Sequence, residues 1–195
     1  MLAVTVQGYG QSCTSSNSGG VSRLFVGDSE DFTFTAGTTN AQTSGYSAIA
    51  RRGTDEVGRL LYEIVSLEDS LSAKATQSIT DGAVNWAYEI GGRLIKMQQS
   101  LSQFAEKLDA AAICGQLLWV WEDNNGLWWV AGEKWVGSNT IPKFKIKQDG
   151  SVIDWGAAFN QFNGMNFSAK GNYRRPPYTL TASSSAILAM LVEPA

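Results

Sequence analysis

The chain has 195 residues, 44% of them hydrophobic and 17% charged, which is enough for one domain with a sizeable core and too apolar for a disordered tail. Fifteen Lys and Arg against 18 Asp and Glu leave a formal charge of −3, and no Lys/Arg run exceeds two residues, so the basic footprint of a protein that grips nucleic acid is missing. Histidine is absent from the sequence, which removes the commonest general base, the Ser-His-Asp and Cys-His nucleophile pairs and most zinc chemistry.

In chain order, the start Met1-Leu2-Ala3-Val4-Thr5-Val6-Gln7 lacks a basic flank and is too short an apolar stretch for a secretory signal. No apolar run of 18 residues occurs anywhere, so the expectation is a soluble protein without a membrane anchor. Residues 11–20 read as a polar loop. Short strands follow at 21–26 and 32–35, split by the acidic turn Asp28-Ser29-Glu30-Asp31. That turn lacks the glycine and closing glutamate of a calcium loop and is read as solvated. From 36 to about 58 the chain is Gly, Thr, Ser and Asn around Arg51-Arg52, with neither helical nor strand period, which predicts a long functional loop. Strands are predicted at 59–65, 70–79 and 83–90, with Gly91-Gly92 as a turn or bulge.

One helix is predicted around residues 101–112. Ser100 and Gln103 form a capping box, Leu101, Phe104, Ala105, Leu108 and Ala112 recur at helical spacing, and Gly115 ends it. Then comes the hairpin signal of 117–133, rich in Trp and Val, with Asn125-Gly126 at the centre of a type I′ turn. Trp119, Trp121, Trp128 and Trp129 on one ribbon must bury at least one face; packing is favoured over sugar stacking. Further strands are expected at 144–147, 151–155, 165–171 and 178–180, and an apolar end at 186–192 reads as an added strand. Many short strands with one helix define a mainly β fold, a sandwich or barrel, forming a single domain over 1–195 with a C-terminal extension at about 181–195.

Candidate chemistry is sparse. Glu68-Asp69 and Glu122-Asp123 are adjacent pairs whose side chains would point to opposite faces of a strand, poor geometry for acid/base partners. Cys13 and Cys114 lie far apart and are read as free thiols rather than a disulfide. Neither a phosphate loop nor a dinucleotide fingerprint is present, and no cofactor or metal is expected. Arg51, Arg52, Arg174 and Arg175, against an acidic background, are read as solvated or as intersubunit salt-bridging groups.

The order of motifs across residues 70–180 resembles bacteriophage tail tube and related tail structural proteins. The matching pieces are Ser70-Leu71-Ser72-Ala73-Lys74-Ala75-Thr76-Gln77-Ser78 with its hairpin, the helix at 102–111, the strand-turn-strand of 120–133, and the late run Asn163-Gly164-Met165-Asn166-Phe167-Ser168 to Arg174-Arg175-Pro176-Pro177-Tyr178. The resemblance implies a β-sandwich with a packed helix, assembled as rings, commonly hexamers, that stack with other tail proteins into a conduit through which genomic DNA passes without specific binding. It implies a non-enzymatic virion tail component assembled in the host cytoplasm. On this reading Arg51, Arg52, Arg174, Arg175, Ile187, Leu188 and Leu191 are the candidate subunit-interface residues. A capsid-associated or baseplate protein and a Trp-rich carbohydrate-binding module are the alternatives.

Overall fold

A computed structural model describes residues 20–39, 42–52, 61–67, 70–80, 82–95, 105–106, 108, 117–140, 147–154, 163–173 and 175–190. The protein is mainly β, with two sheets. The larger is formed by β1 (Val21–Asp28), β2 (Phe32–Thr39), β3 (Gln42–Arg51), β4 (Tyr62–Glu63), β7 (Leu117–Asp123), β8 (Trp128–Ala131), β9 (Trp135–Val136), β10 (Asn139–Thr140) and β14 (Tyr178–Leu180). Its spatial order is β10-β9-β2-β3-β14-β8-β7-β1-β4. The smaller runs β11 (Lys147–Gln148), β13 (Gly164–Tyr173), β6 (Ala83–Ile95), β5 (Ser72–Thr80), and β12 (Val152–Asp154) also pairs with β13.

Strand β7, Leu-Leu-Trp-Val-Trp, shows why the larger sheet has no wet face at its centre. Leu117, Trp119 and Trp121 point into a core shared with Tyr88, Ile90, Leu94, Met165 and Phe167 of the smaller sheet. Leu118 and Val120, on the opposite face, join Phe25, Phe32, Phe34, Tyr46, Val130 and Ile187 in a second core. A strand buried on both sides reads as a continuous apolar run rather than an alternation. The second core draws on β2 and β3 as well as β1, β7 and β8, so the larger sheet curls around it.

Several expectations are corrected. The loop predicted at 36–58 is largely strand: β2 runs on to Thr39, and β3 occupies 42–51 beside it, while 53–60 lie outside the described residues. The period is hidden because Ser47 is an extra residue between the pairs Thr35↔Ala48 and Ala36↔Tyr46. This bulge sets the buried Tyr46 and Ile49 three residues apart and removes the alternation a strand would otherwise show. Gly91-Gly92 is not a turn either. Both lie inside β6, where a Cβ on Gly92 would come within 2.8 Å of the Phe167 ring and one on Gly91 within 3.0 Å of the Phe167 carbonyl oxygen. Glycine there lets Phe167 lie against the strand.

The hairpin is present, with β7 and β8 paired from Trp119↔Ala131 to Glu122↔Trp128, but its turn is shifted by one residue from the type I′ expectation. Gly126 N–H donates to the Asp123 carbonyl at 2.9 Å, so Asn124 and Asn125 are the central pair and Gly126 follows at φ 77°. That is the three-residue connection in which a left-handed glycine ends the turn. Asp123 Oδ1 accepts from the N–H of Asn125 at 2.9 Å and of Leu127 at 3.0 Å, which favours this register over the alternative.

The predicted helix at 101–112 lies mostly outside the described residues; within it Ala105, Glu106 and Leu108 are helical, and Ala105 and Leu108 are buried in the first core. Within the apolar C-terminal run, residues 186–190 are not an added strand, and 191–192 lie outside the described residues. Ser183 caps a short helix, α1 (Ser184–Leu188), its hydroxyl accepting from Ala186 N–H, and Ile187 and Met190 pack into the second core. The Met190 carbonyl then accepts from Leu61 N–H at 2.9 Å, so the segment seals its own chain.

Candidate functional site

The described residues hold two features with functional geometry: an arginine locked between the sheets, and an open sheet edge with a cleft beneath it. The lock lies on the connection from β13 to β14. Arg175 forms an ion pair with Glu133, which is buried, and donates to the Tyr46 hydroxyl at 2.8 Å. Tyr46 in turn donates to Glu133 Oε1 at 2.8 Å. The guanidinium stacks 3.9 Å from the Tyr178 ring centroid, with Tyr173 at 5.1 Å, and the Arg175 carbonyl accepts from Tyr88 at 2.9 Å. Tyr88 and Tyr173 belong to the smaller sheet, Tyr46 and Tyr178 to the larger, so the cluster ties one to the other.

Burial pushes the Tyr46 phenol up from its ordinary 10.0 to about 12, against the opposing pull of the Arg175 charge and hydrogen bond. Burial also raises Tyr88 and Tyr173, with Arg175 again opposing at Tyr88. A phenol whose folded-state pKa is raised stabilises the fold fully below its unfolded value and loses that contribution as pH climbs through the folded one. The urea midpoint should therefore hold up to about pH 10 and fall from there toward 12, and Tyr46→Phe should fall less steeply over that interval. Equal slopes for the two proteins would remove Tyr46 from this account.

The predicted interface residues separate on inspection. Arg51 donates to the Ala189 carbonyl at 3.1 Å, holding the C-terminal segment to β3. Arg52 lies 3.5 Å over the Trp135 ring and 3.8 Å from Glu30, whose carboxylate also accepts from Trp135 Nε1 at 2.9 Å and pairs with Lys134. The acidic turn at 28–31 is thus bound to the protein's own cations and indole. Arg175 is in the lock, Ile187 is fully buried, and Leu188 packs against the second core. For Ile187 the interface expectation is corrected, since a side chain sealed in its own core has no surface to offer. Arg174 and Leu191 lie outside the described residues.

What sequence reasoning missed is the edge of the smaller sheet. The larger sheet ends on each side in a two-residue strand, β10 and β4. The smaller ends in β5, nine residues long, and among the described residues no strand pairs with its outer side. Beneath it, between the sheets, opens a cleft of about 340 Å³ lined by Val21, Leu71, Ala73, Trp121, Trp129 and Pro177. On the outer face the exposed Lys74, Glu89 and Lys170 stand in one cross-strand row. Asp123, half of one adjacent carboxylate pair, is spent on the hairpin and on Trp129 Nε1 at 2.9 Å. No group of three Asp, Glu or Cys with metal-binding geometry occurs among the described residues, and no helix there is long and apolar enough to cross a membrane. Comparison with family models, curated proteins and solved structures gives no match to this chain.

Proposed function

We propose that this chain is a virion structural protein of tail-tube type, which joins copies of itself into rings that stack as a conduit for DNA. The observation that carries the reading is the β5 edge. A long, unprotected edge strand is a template for pairing with another chain, and proteins that stay monomeric blunt such edges with short strands, prolines or repeated charges. Here the larger sheet is blunted on both sides, while β5 carries one charge, Lys74, in nine residues and no proline. The outer face of the smaller sheet supports the same reading: Lys74, Thr76, Glu89, Ser168, Lys170 and Asn172 are polar, and a carboxylate sits between two ammonium groups. Such a face is wetted without offering phosphate a basic stripe to hold.

The absence of histidine and the engagement of Asp123, Glu30 and Glu133 with the protein's own donors support a structural rather than an enzymatic role. The burial of Trp119 and Trp128 favours packing over a sugar-stacking platform. Sedimentation of the purified protein across a wide concentration range, with negative-stain imaging, tests the proposal. Ring or tube particles that grow with concentration are expected; a chain that stays monomeric throughout would overturn it.

A further inference from the structure

The two edges of the smaller sheet are complementary. On one side lies β5; on the other, in succession along β13, lie β11 and β12, and Val152 and Ile153 of β12 are 57% and 42% exposed although apolar. Successive strands β5, β6, β13 and β12 are antiparallel, so β5 and β12 run in opposite directions. Copies placed side by side in one orientation therefore meet edge to edge as an antiparallel pair, the hydrogen-bonding pattern the sheet already uses. Such a contact is head-to-tail and can close into a ring.

The register follows from the faces. Ile153 pairs with Met165, which points into the core, and Ala73 pairs with Ile90, which does so too. Both therefore belong to the inner face. Through β13 and β6, Ile153 is level with Leu94, and Ala73 is level with Ile90, four residues away along β6. An even offset keeps inner residues inside, whereas an odd one would turn Ile153 out to water. Bringing the two level needs a stagger of roughly 13 Å per copy, and closing a sheet into a barrel requires stagger of this kind. At this register Ile153 lies over the cleft of about 340 Å³ between the sheets, lined beside the small Ala73 by the partly buried Leu71 and Trp129, with Trp121 at its wall. Asp154, on the outer face, falls diagonal to Lys74, close enough for opposite charges to attract.

We infer that Ile153 of one copy fills the cleft under β5 of the next, and that this contact sets the register in which copies join. The inference rests on the self-assembly reading and goes further, naming the contact. Ile153→Lys should leave the melting temperature of dilute protein close to wild type, because the side chain is exposed there, and should raise the concentration needed for assembly on the order of tenfold or more. Ile153→Leu should assemble normally. Ile153→Lys particles forming at the wild-type concentration would overturn the contact. As a second measurement, Ala73→Cys combined with Ile153→Cys should give a ladder of covalent multimers on mild oxidation, while each single variant gives none. Normal particles without that ladder would overturn the register and leave self-assembly standing; a wild type that is monomeric throughout would remove both.

Discussion

Trp119→Ala is expected to lower stability by about 3–5 kcal/mol, the range for deleting a large aromatic from a packed core. Trp119 is 1% exposed and lies where the two sheets meet, its ring parallel to that of Phe167 at 6.2 Å between centroids. Removing it leaves a cavity walled by two sheets, each held in place by its own hydrogen-bond ladder, so collapse around the void is limited. Trp119→Phe should cost much less: the indole N–H has no partner among the described residues, so the change sacrifices volume without breaking a hydrogen bond. Leu127→Ala, at a side chain 51% exposed beside the turn, should be near neutral. Urea midpoints at unchanged slope provide the measurement. A loss below about 1 kcal/mol for Trp119→Ala would mean that the first core does not depend on this contact.

The same physics decides which parts of the fold the sequence reveals. The β7–β8 hairpin is legible because Trp and Val flank a turn whose glycine needs positive φ, and both signals are local. β1 and β13 are legible for similar reasons. β2 is legible at 32–35, where Phe32 and Phe34 alternate with threonines; its continuation to Thr39 and the whole of β3 are hidden because one extra residue, Ser47, breaks the period and because only Tyr46 and Ile49 supply large buried groups there among small polar ones. The C-terminal segment deceives differently. Ile187 and Met190 are three apart, a helical spacing, yet a five-residue helix leaves too little period to tell from a strand, and Ser183 as its cap is one serine among three. The arginine lock is illegible in principle, since Tyr46, Tyr88, Glu133, Tyr173, Arg175 and Tyr178 come together only when β3, β6, the end of β8 and the β13–β14 connection are placed in space. The same holds for the β5 edge: pattern reveals a strand, and only topology reveals that nothing described lies beside it.

Breaking the Arg175–Glu133 pair should produce the other large effect. Glu133→Ala is expected to cost about 3–5 kcal/mol, because the carboxylate side chain is 4% exposed and the guanidinium it neutralises is 21% exposed, too enclosed for water to replace the lost partner. The Tyr46 hydroxyl would lose its acceptor in the same step and remain buried. Arg175→Met should cost less than Glu133→Ala, since the thioether chain can still lie on Tyr178 while the Glu133 carboxylate retains the Tyr46 donor. The combined variant Glu133→Ala with Arg175→Met should be less destabilised than the sum of the two, with a coupling of roughly 1–3 kcal/mol, since removing the second charge ends the penalty created by removing the first. A double-mutant cycle by urea denaturation measures that coupling directly. Additive losses would show that each residue acts through packing alone. A large coupling would locate the tie between the sheets in this one ion pair, and any change in the angle between the sheets must then work against it.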